Sequence, residues 1–178
     1  FEQALTLKPD YPDALNSLGY ELFLQNKPDE ALAQYERALQ VDPNNSRAYF
    51  NKGFLLTRTG RVPEGIECLR KALELNPNDA NVHYNLGLVL AGEGDRAGAL
   101  EHYREAVRLD PTLSAAHHTL ADMLAADGQA DEAITHYEMA LAHNTDNPDT
   151  YKNLAFLLMN QGRAPEAEPY FARALALN

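Results

Sequence analysis

The sequence predicts an all-α fold, an α-solenoid of antiparallel helix pairs, on three observations. Small residues recur at a constant spacing of 34, apolar residues within each spacing follow a helical period, and a turn former stands where each pair must reverse. Ala4, Ala38, Ala72, Ala106, Ala140 and Ala174 hold that spacing without insertion or deletion. Gly19, Gly53, Gly87, Ala121 and Ala155 form a second column, and Ala31, Gly65, Ala99, Ala133 and Ala167 a third. A column of prolines runs Pro9, Pro43, Pro77, Pro111 and lapses to Thr145. Large apolar residues keep the register: Leu22, Leu56, Leu90, Leu124, Leu158 in one column, and Phe1, Tyr35, Leu69, Tyr103, Tyr137, Phe171 in another. The columns divide one solenoid domain into a half-unit, 1–11, and repeats 12–45, 46–79, 80–113, 114–147 and 148–178.

Within repeat 12–45, Leu15, Leu18, Gly19 and Leu22 stand at i, i+3, i+4 and i+7, one face of a first helix over roughly 13–25. The break follows at Asn26-Lys27-Pro28, and its counterparts carry Gly60, Gly94, Gly128 and Gly162, because a helix end of this kind wants a residue tolerant of positive φ. The second helix begins at Asp29-Glu30. Glu30, Glu64, Glu132 and Glu166 occupy first turns, where the helix dipole favours negative charge, and Pro63 and Pro165 fit there because first-turn amides need no helical partner. Ala31, Tyr35, Ala38 and Leu39 form the buried stripe, and Pro43 stops the helix. Gly19 and Ala31 let the two helices of a pair approach closely, while Ala38 does the same against the next repeat's first helix. A lone pair leaves an apolar face open, so stability comes from stacking neighbours.

The third full repeat reads His83, Leu86, Gly87, Leu90, Ala99, Tyr103, Ala106, Pro111, and in this it resembles the tetratricopeptide repeat (TPR) family. The resemblance covers the whole chain. Departures are local: there is no Trp, Lys52 replaces the usual Leu, Gly65 replaces Ala, and Thr145 replaces Pro. They bear on the tightness of the second repeat and on the joint between the fourth and fifth. The resemblance implies a right-handed superhelix whose concave groove is lined by the first helices. It also implies a protein–protein interaction scaffold, without catalytic chemistry, that binds an extended peptide or partner helix.

On that pattern the candidate groove residues are Asn16, Ser17, Tyr20, Phe50, Asn51, Phe54, Tyr84, Asn85, His118, Thr119, Lys152, Asn153 and Phe156. One column, Ser17, Asn51, Asn85, Thr119, Asn153, is polar in every repeat. An Asn amide both donates and accepts, so such a row can hold a peptide backbone irrespective of sequence. It is similar to the asparagine ladder in the TPR region of O-GlcNAc transferases; the competing reading is that Asn is simply common before Leu-Gly in this family. Tyr20, Phe23, Phe50, Phe54, Tyr84 and Phe156 are many rings for a face turned to water, and aromatic anchors dominate interface energy. The competing reading has Phe23 and Phe54 packing between adjacent repeats. The TPR clamp for acidic chaperone tails needs paired Lys and Asn. This chain has Asn16 with Tyr20, Phe50 with Phe54 and Tyr84 with Leu88 at those spots, which excludes that clamp. An apolar or mixed segment, with basic residues to suit the acidic body, fits better.

Composition sets the remaining expectations. Fifteen Lys and Arg against 26 Asp and Glu give a net charge of −11, which repels nucleic acid and anionic lipid. No apolar run approaches the ~18 residues of a spanning helix, so the chain is expected to be soluble, with the cytoplasm favoured although one cysteine leaves the compartment open. Cys68 is expected to be an inert, buried or half-buried thiol. Six histidines, among them His102 and His136 one repeat apart, fall short of the three or four converging ligands of a zinc site, so no metal and no cofactor are expected. No phosphate loop, nucleophile elbow or His-Glu-x-x-His motif points to an enzyme. Two alternatives stay open: the substrate-recruiting TPR region of a larger enzyme such as a glycosyltransferase, and a self-assembling module. The sequence opens inside a second helix and closes on one without polar caps, its outward face drawn from Tyr170, Phe171, Ala174 and Leu177. Either a longer protein or a homo-oligomer is expected to cover those ends.

Overall fold

The structure, a computed structural model, describes residues 11–177; the expected half-unit, with Phe1, Ala4 and Pro9, lies outside them apart from Tyr11. Among the described residues there are ten helices and no strand: α1 (Pro12–Leu24), α2 (Pro28–Val41), α3 (Ser46–Arg58), α4 (Val62–Leu75), α5 (Ala80–Gly92), α6 (Arg96–Leu109), α7 (Ser114–Ala126), α8 (Ala130–His143), α9 (Pro148–Asn160) and α10 (Ala164–Leu177). The chain forms two compact units, Phe1–Asp95 and Arg96–Asn178.

In the first unit, one closing motif ends each first helix. After α1 the amide of Lys27 donates to Leu22 O over 3.0 Å with Asn26 at φ 59°, and after α3 Arg61 donates to Leu56 O over 2.9 Å with Gly60 at φ 85°. A left-handed residue returns the chain and satisfies otherwise orphaned carbonyls. At their beginnings, Asn45 accepts from the amide of Ala48 (2.9 Å) and Asp79 from those of Asn81 and Val82 (3.1 and 3.3 Å), which caps α3 and α5. Ala31, Tyr35 and Leu55 form one core cluster and Leu15, Ala38 and Ala48 another, so Ala38 does sit against the next first helix. The Tyr35 ring covers Gly19, where an added Cβ would stand 2.6 Å from the ring. Gly53 and Gly65 face each other across the α3–α4 crossing. A Cβ at Gly65 would lie 2.4 Å from Thr57 Cγ2 and 2.9 Å from Gly53 O, so the departure from Ala at this position makes the second repeat tighter. The charged newcomer Lys52 reaches Glu36 of α2 over 2.9 Å.

The second unit repeats the scheme. Gln129 donates to Leu124 O and Arg163 to Leu158 O, both over 2.9 Å, with Gly128 and Gly162 at φ 76°. Leu120, Leu124, Tyr137 and Leu154 are buried, and the Ser114 hydroxyl donates to Ala140 O over 2.8 Å, tying the start of α7 to the end of α8. Asn147 caps α9 in the turn where Thr145 stands for the usual proline. The sequence pattern did not flag Pro169, which lies inside α10 and leaves the carbonyl four residues earlier without its helical donor.

Candidate functional site

In the first unit α1, α3 and α5 stand side by side as the first helices of their repeats, and their exposed faces bound a trough of about 580 Å³. It is lined by Asn16, Ser17, Tyr20, Phe50, Asn51 and Asn85, six of the residues singled out from the sequence, with Glu21, Arg47, Asp79 and Asn81 beside them. The amides are not all equivalent. Asn16 is only 4% exposed and accepts from Asn51 Nδ2 over 2.9 Å, so this pair forms the floor. Asn85 Nδ2 donates to Asn81 O one turn earlier, and the Ser17 hydroxyl to Asp13 O, both over 2.8 Å. Among the described residues the Oδ1 of Asn51 and of Asn85 accept no hydrogen bond, which leaves two acceptors over the floor. Those can take backbone N–H groups of a bound chain.

The aromatic side chains divide. Tyr20 is 47% exposed at the trough wall. Phe23 meets Phe54 edge-on at 5.7 Å between centroids, and Phe54 meets Phe50 at 6.4 Å, so Phe23 and Phe54 do pack between neighbouring pairs. Phe54 keeps one face in a second cavity of about 320 Å³, whose other walls are Thr57, Arg58, Val62, Leu69, Asn85, Leu88, Val89, Gly92 and Glu93. Leu88 is 41% exposed there, and the Arg58 guanidinium carbon lies 6.0 Å from the Phe54 centroid. Tyr84 is half-buried and lines neither cavity.

The second unit brings its own candidates together. His118 accepts or donates at Nδ1 with the Thr150 hydroxyl (2.8 Å), and its Nε2 lies 3.3 Å from Asp122 Oδ2. The other oxygen of Asp122 accepts from the Tyr137 hydroxyl and from Asn153 Nδ2 (3.0 Å). Asp122 therefore ties α7, α8 and α9 together, and burial pushes the Tyr137 phenol upward, with the Asp122 carboxylate adding to the shift. Asn153 and His118 are spent on this network. The Thr119 hydroxyl donates to Ala115 O, and Lys152 pairs with Asp149. Phe156 is 54% exposed yet stands edge-on to Phe171 at 5.1 Å.

A contact the sequence did not anticipate joins α7 to α8: His117 Nδ1 and His136 Nδ1 lie 2.9 Å apart. His117 Nε2 is 3.1 Å from Pro111 O, an acceptor only, so that nitrogen carries the proton, and His136 Nδ1–H donates to the bare His117 Nδ1. In this arrangement the His117 ring is neutral. Burial lowers both pKa values, and the proximity of His117 lowers that of His136 further. Burial likewise raises the Cys68 thiol. Among the described residues, no group of three or more His, Cys, Asp or Glu gathers around a metal position, and no helix is long and apolar enough to cross a membrane.

A family model described as tetratricopeptide repeat matches residues 22–87 and 124–178, and a second with the same description matches 80–113. Among solved structures, the chain is similar to YrrB, "a TPR protein with an unusual peptide-binding site", at 21% identity and TM-score 0.76 over 99% of this chain and 91% of that one. It is also similar to PilF of Pseudomonas aeruginosa, at 22% identity and TM-score 0.85 over 94% of this chain and 76% of that one. MamA from Desulfovibrio magneticus RS-1 aligns at 19% identity and TM-score 0.77 over 93% and 94%. At these identities the likeness is one of fold. No curated protein matches by sequence.

Proposed function

The chain belongs to the tetratricopeptide repeat family, and we propose that it is a non-catalytic interaction scaffold that holds an extended segment of a partner protein across α1, α3 and α5. The observation that carries this reading is the trough of about 580 Å³, where amide acceptors and exposed ring surface lie side by side. Backbone-directed amides suit an extended chain, and rings such as Tyr20 supply the apolar contact that gives such a complex its affinity. The description of YrrB as having a peptide-binding site lends the reading support from the same fold. In the second unit His118, Asn153 and Lys152 are already engaged with Thr150, Asp122 and Asp149, which favours the first unit as the holding surface.

The test is selection of binders from a random-peptide library on the intact chain, followed by affinity measurement on Tyr20→Ala/Asn85→Ala. Neither side chain holds the fold: Tyr20 is largely exposed, and the Asn85 amide bonds only within its own helix. Selected peptides are expected to lose affinity about tenfold or more on the variant, with the circular dichroism spectrum unchanged. Equal affinity for both proteins would remove the trough from the reading.

A further inference from the structure

We infer that the valley between α3 and α5 selects one chemistry: an extended protein segment bearing two carboxylates about five residues apart, with a large apolar side chain between them. The inference rests on the peptide-holding role proposed above and specifies what is held.

Acidic residues outnumber basic ones 26 to 15, so carboxylates without a partner are unavoidable, whereas every base could find one. Most do. Lys52, Arg61, Lys71, Arg96, Arg104, Arg108, Lys152, Arg163 and Arg173 each hold a carboxylate. Lys27, Arg47, Arg58 and Arg70 hold none among the described residues, and of these four Arg47 and Arg58 are the two that line the cavities. Three carboxylates also stand at the cavities: Asp79 is engaged in capping α5, and Glu21 and Glu93 belong to the acidic surplus and carry no such information. Net charge suggests a basic ligand, but the valley itself offers the opposite local signal.

Geometry then fixes the spacing. Arg47 and Arg58 are eleven positions apart on α3, which brings them back to one face after about three turns, about 16 Å along the axis. An extended chain covers that distance in about five residues. Phe50 and Phe54 lie between the two arginines on the same stripe, and the cavity of about 320 Å³ opens beside Phe54 against Val62, Leu69, Leu88 and Val89. That volume takes a leucine, methionine or phenylalanine side chain. Asn85 lines both cavities, so a segment passing from one to the other keeps a backbone acceptor at the crossing. The Arg58 guanidinium, standing over the Phe54 ring, is held at the cavity mouth where a carboxylate next to the buried side chain would meet it.

The experiment is fluorescence anisotropy on the intact chain with a labelled synthetic peptide in which two glutamates, five positions apart, flank a leucine. Its companions carry glutamine or lysine for both glutamates, or serine for the leucine. The acidic peptide should bind tightest, each lost carboxylate should cost about fivefold, and the serine peptide should bind weakest of the uncharged or acidic set. On Arg47→Gln/Arg58→Gln, the glutamate and glutamine peptides should bind alike. Binding of the glutamine or lysine peptide as tight as that of the glutamate peptide, or a preference for glutamate that survives the double substitution, would overturn the inference. If library-selected peptides are not acidic yet lose affinity on Tyr20→Ala/Asn85→Ala, the valley's chemistry is wrong and the trough stands. If they are indifferent to that variant, the holding role falls with it. Capture of a second copy of this chain in place of the peptides also counts against the stated occupant.

Discussion

At Gly65 a side chain has nowhere to go, since the nearest obstacle besides Thr57 is the backbone carbonyl of Gly53, which cannot rotate away. Gly65→Ala is therefore expected to destabilise the chain by about 1–3 kcal/mol, read as a fall in melting temperature. Ala99→Leu, at a fully buried position of the same column, should cost a similar ~1–3 kcal/mol; unchanged melting would disprove the close packing assigned there. At this scale the small-residue columns were plain in the sequence, because only packing demands identical size at a fixed spacing. Which of them tolerate alanine and which demand glycine was not, because it depends on what stands opposite: a movable tyrosine ring at Gly19, a carbonyl at Gly65. Polar side chains were harder still. Asn51, Asn85 and Asn153 occupy one column, yet one braces a buried Asn16, one bonds inside its own helix and one serves Asp122.

Between elements, the α7–α8 contact contains the chain's clearest acid sensitivity. With both rings protonated, the His117–His136 contact would set two N–H groups against each other. Glu132 eases protonation of His136 and Asp110 that of His117, while Arg104 and His143 oppose it, and burial outweighs them all. Both folded pKa values lie below the ordinary 6.5, so the unfolded chain binds more protons as pH falls below that value. The stabilisation is complete above about pH 6.5 and is lost as pH drops through the folded values. Melting temperature should therefore fall between about pH 7.5 and about pH 5, and His136→Phe should flatten that fall; an equally steep profile in the variant would show that the pair is not responsible. The Asp122 hub gives a second expectation at this scale. Asp122→Ala leaves the Tyr137 hydroxyl and Asn153 amide without their acceptor and should cost about 1–2 kcal/mol in chemical denaturation. Helix limits were legible to within a residue or two where a helix ends on a left-handed glycine or asparagine or before a proline, signals that α8 lacks. The histidine pair was not, since its partners are 19 positions apart in sequence and sit in different columns.

For the molecule as a whole, a surplus of eleven negative charges over 178 residues opposes compaction. The ion pairs between neighbouring residues are mostly exposed and contribute little, so raising salt should screen more repulsion than attraction. Melting temperature is expected to rise from low to moderate ionic strength; a fall would mean that the surface pairs outweigh the net charge. Repetition made the architecture readable from the sequence, whereas the cavities were not, because they arise where non-equivalent side chains of neighbouring helices meet. The facing glycines of α3 and α4 have a bearing on how such an array could be rebuilt. Shared spacing makes the 34-residue cassettes look interchangeable, as if any one could be duplicated or spliced in place of another. Residues 46–79 resist that treatment: their halves are matched like a key and its lock, so a graft must carry both halves together or leave a collision at the seam.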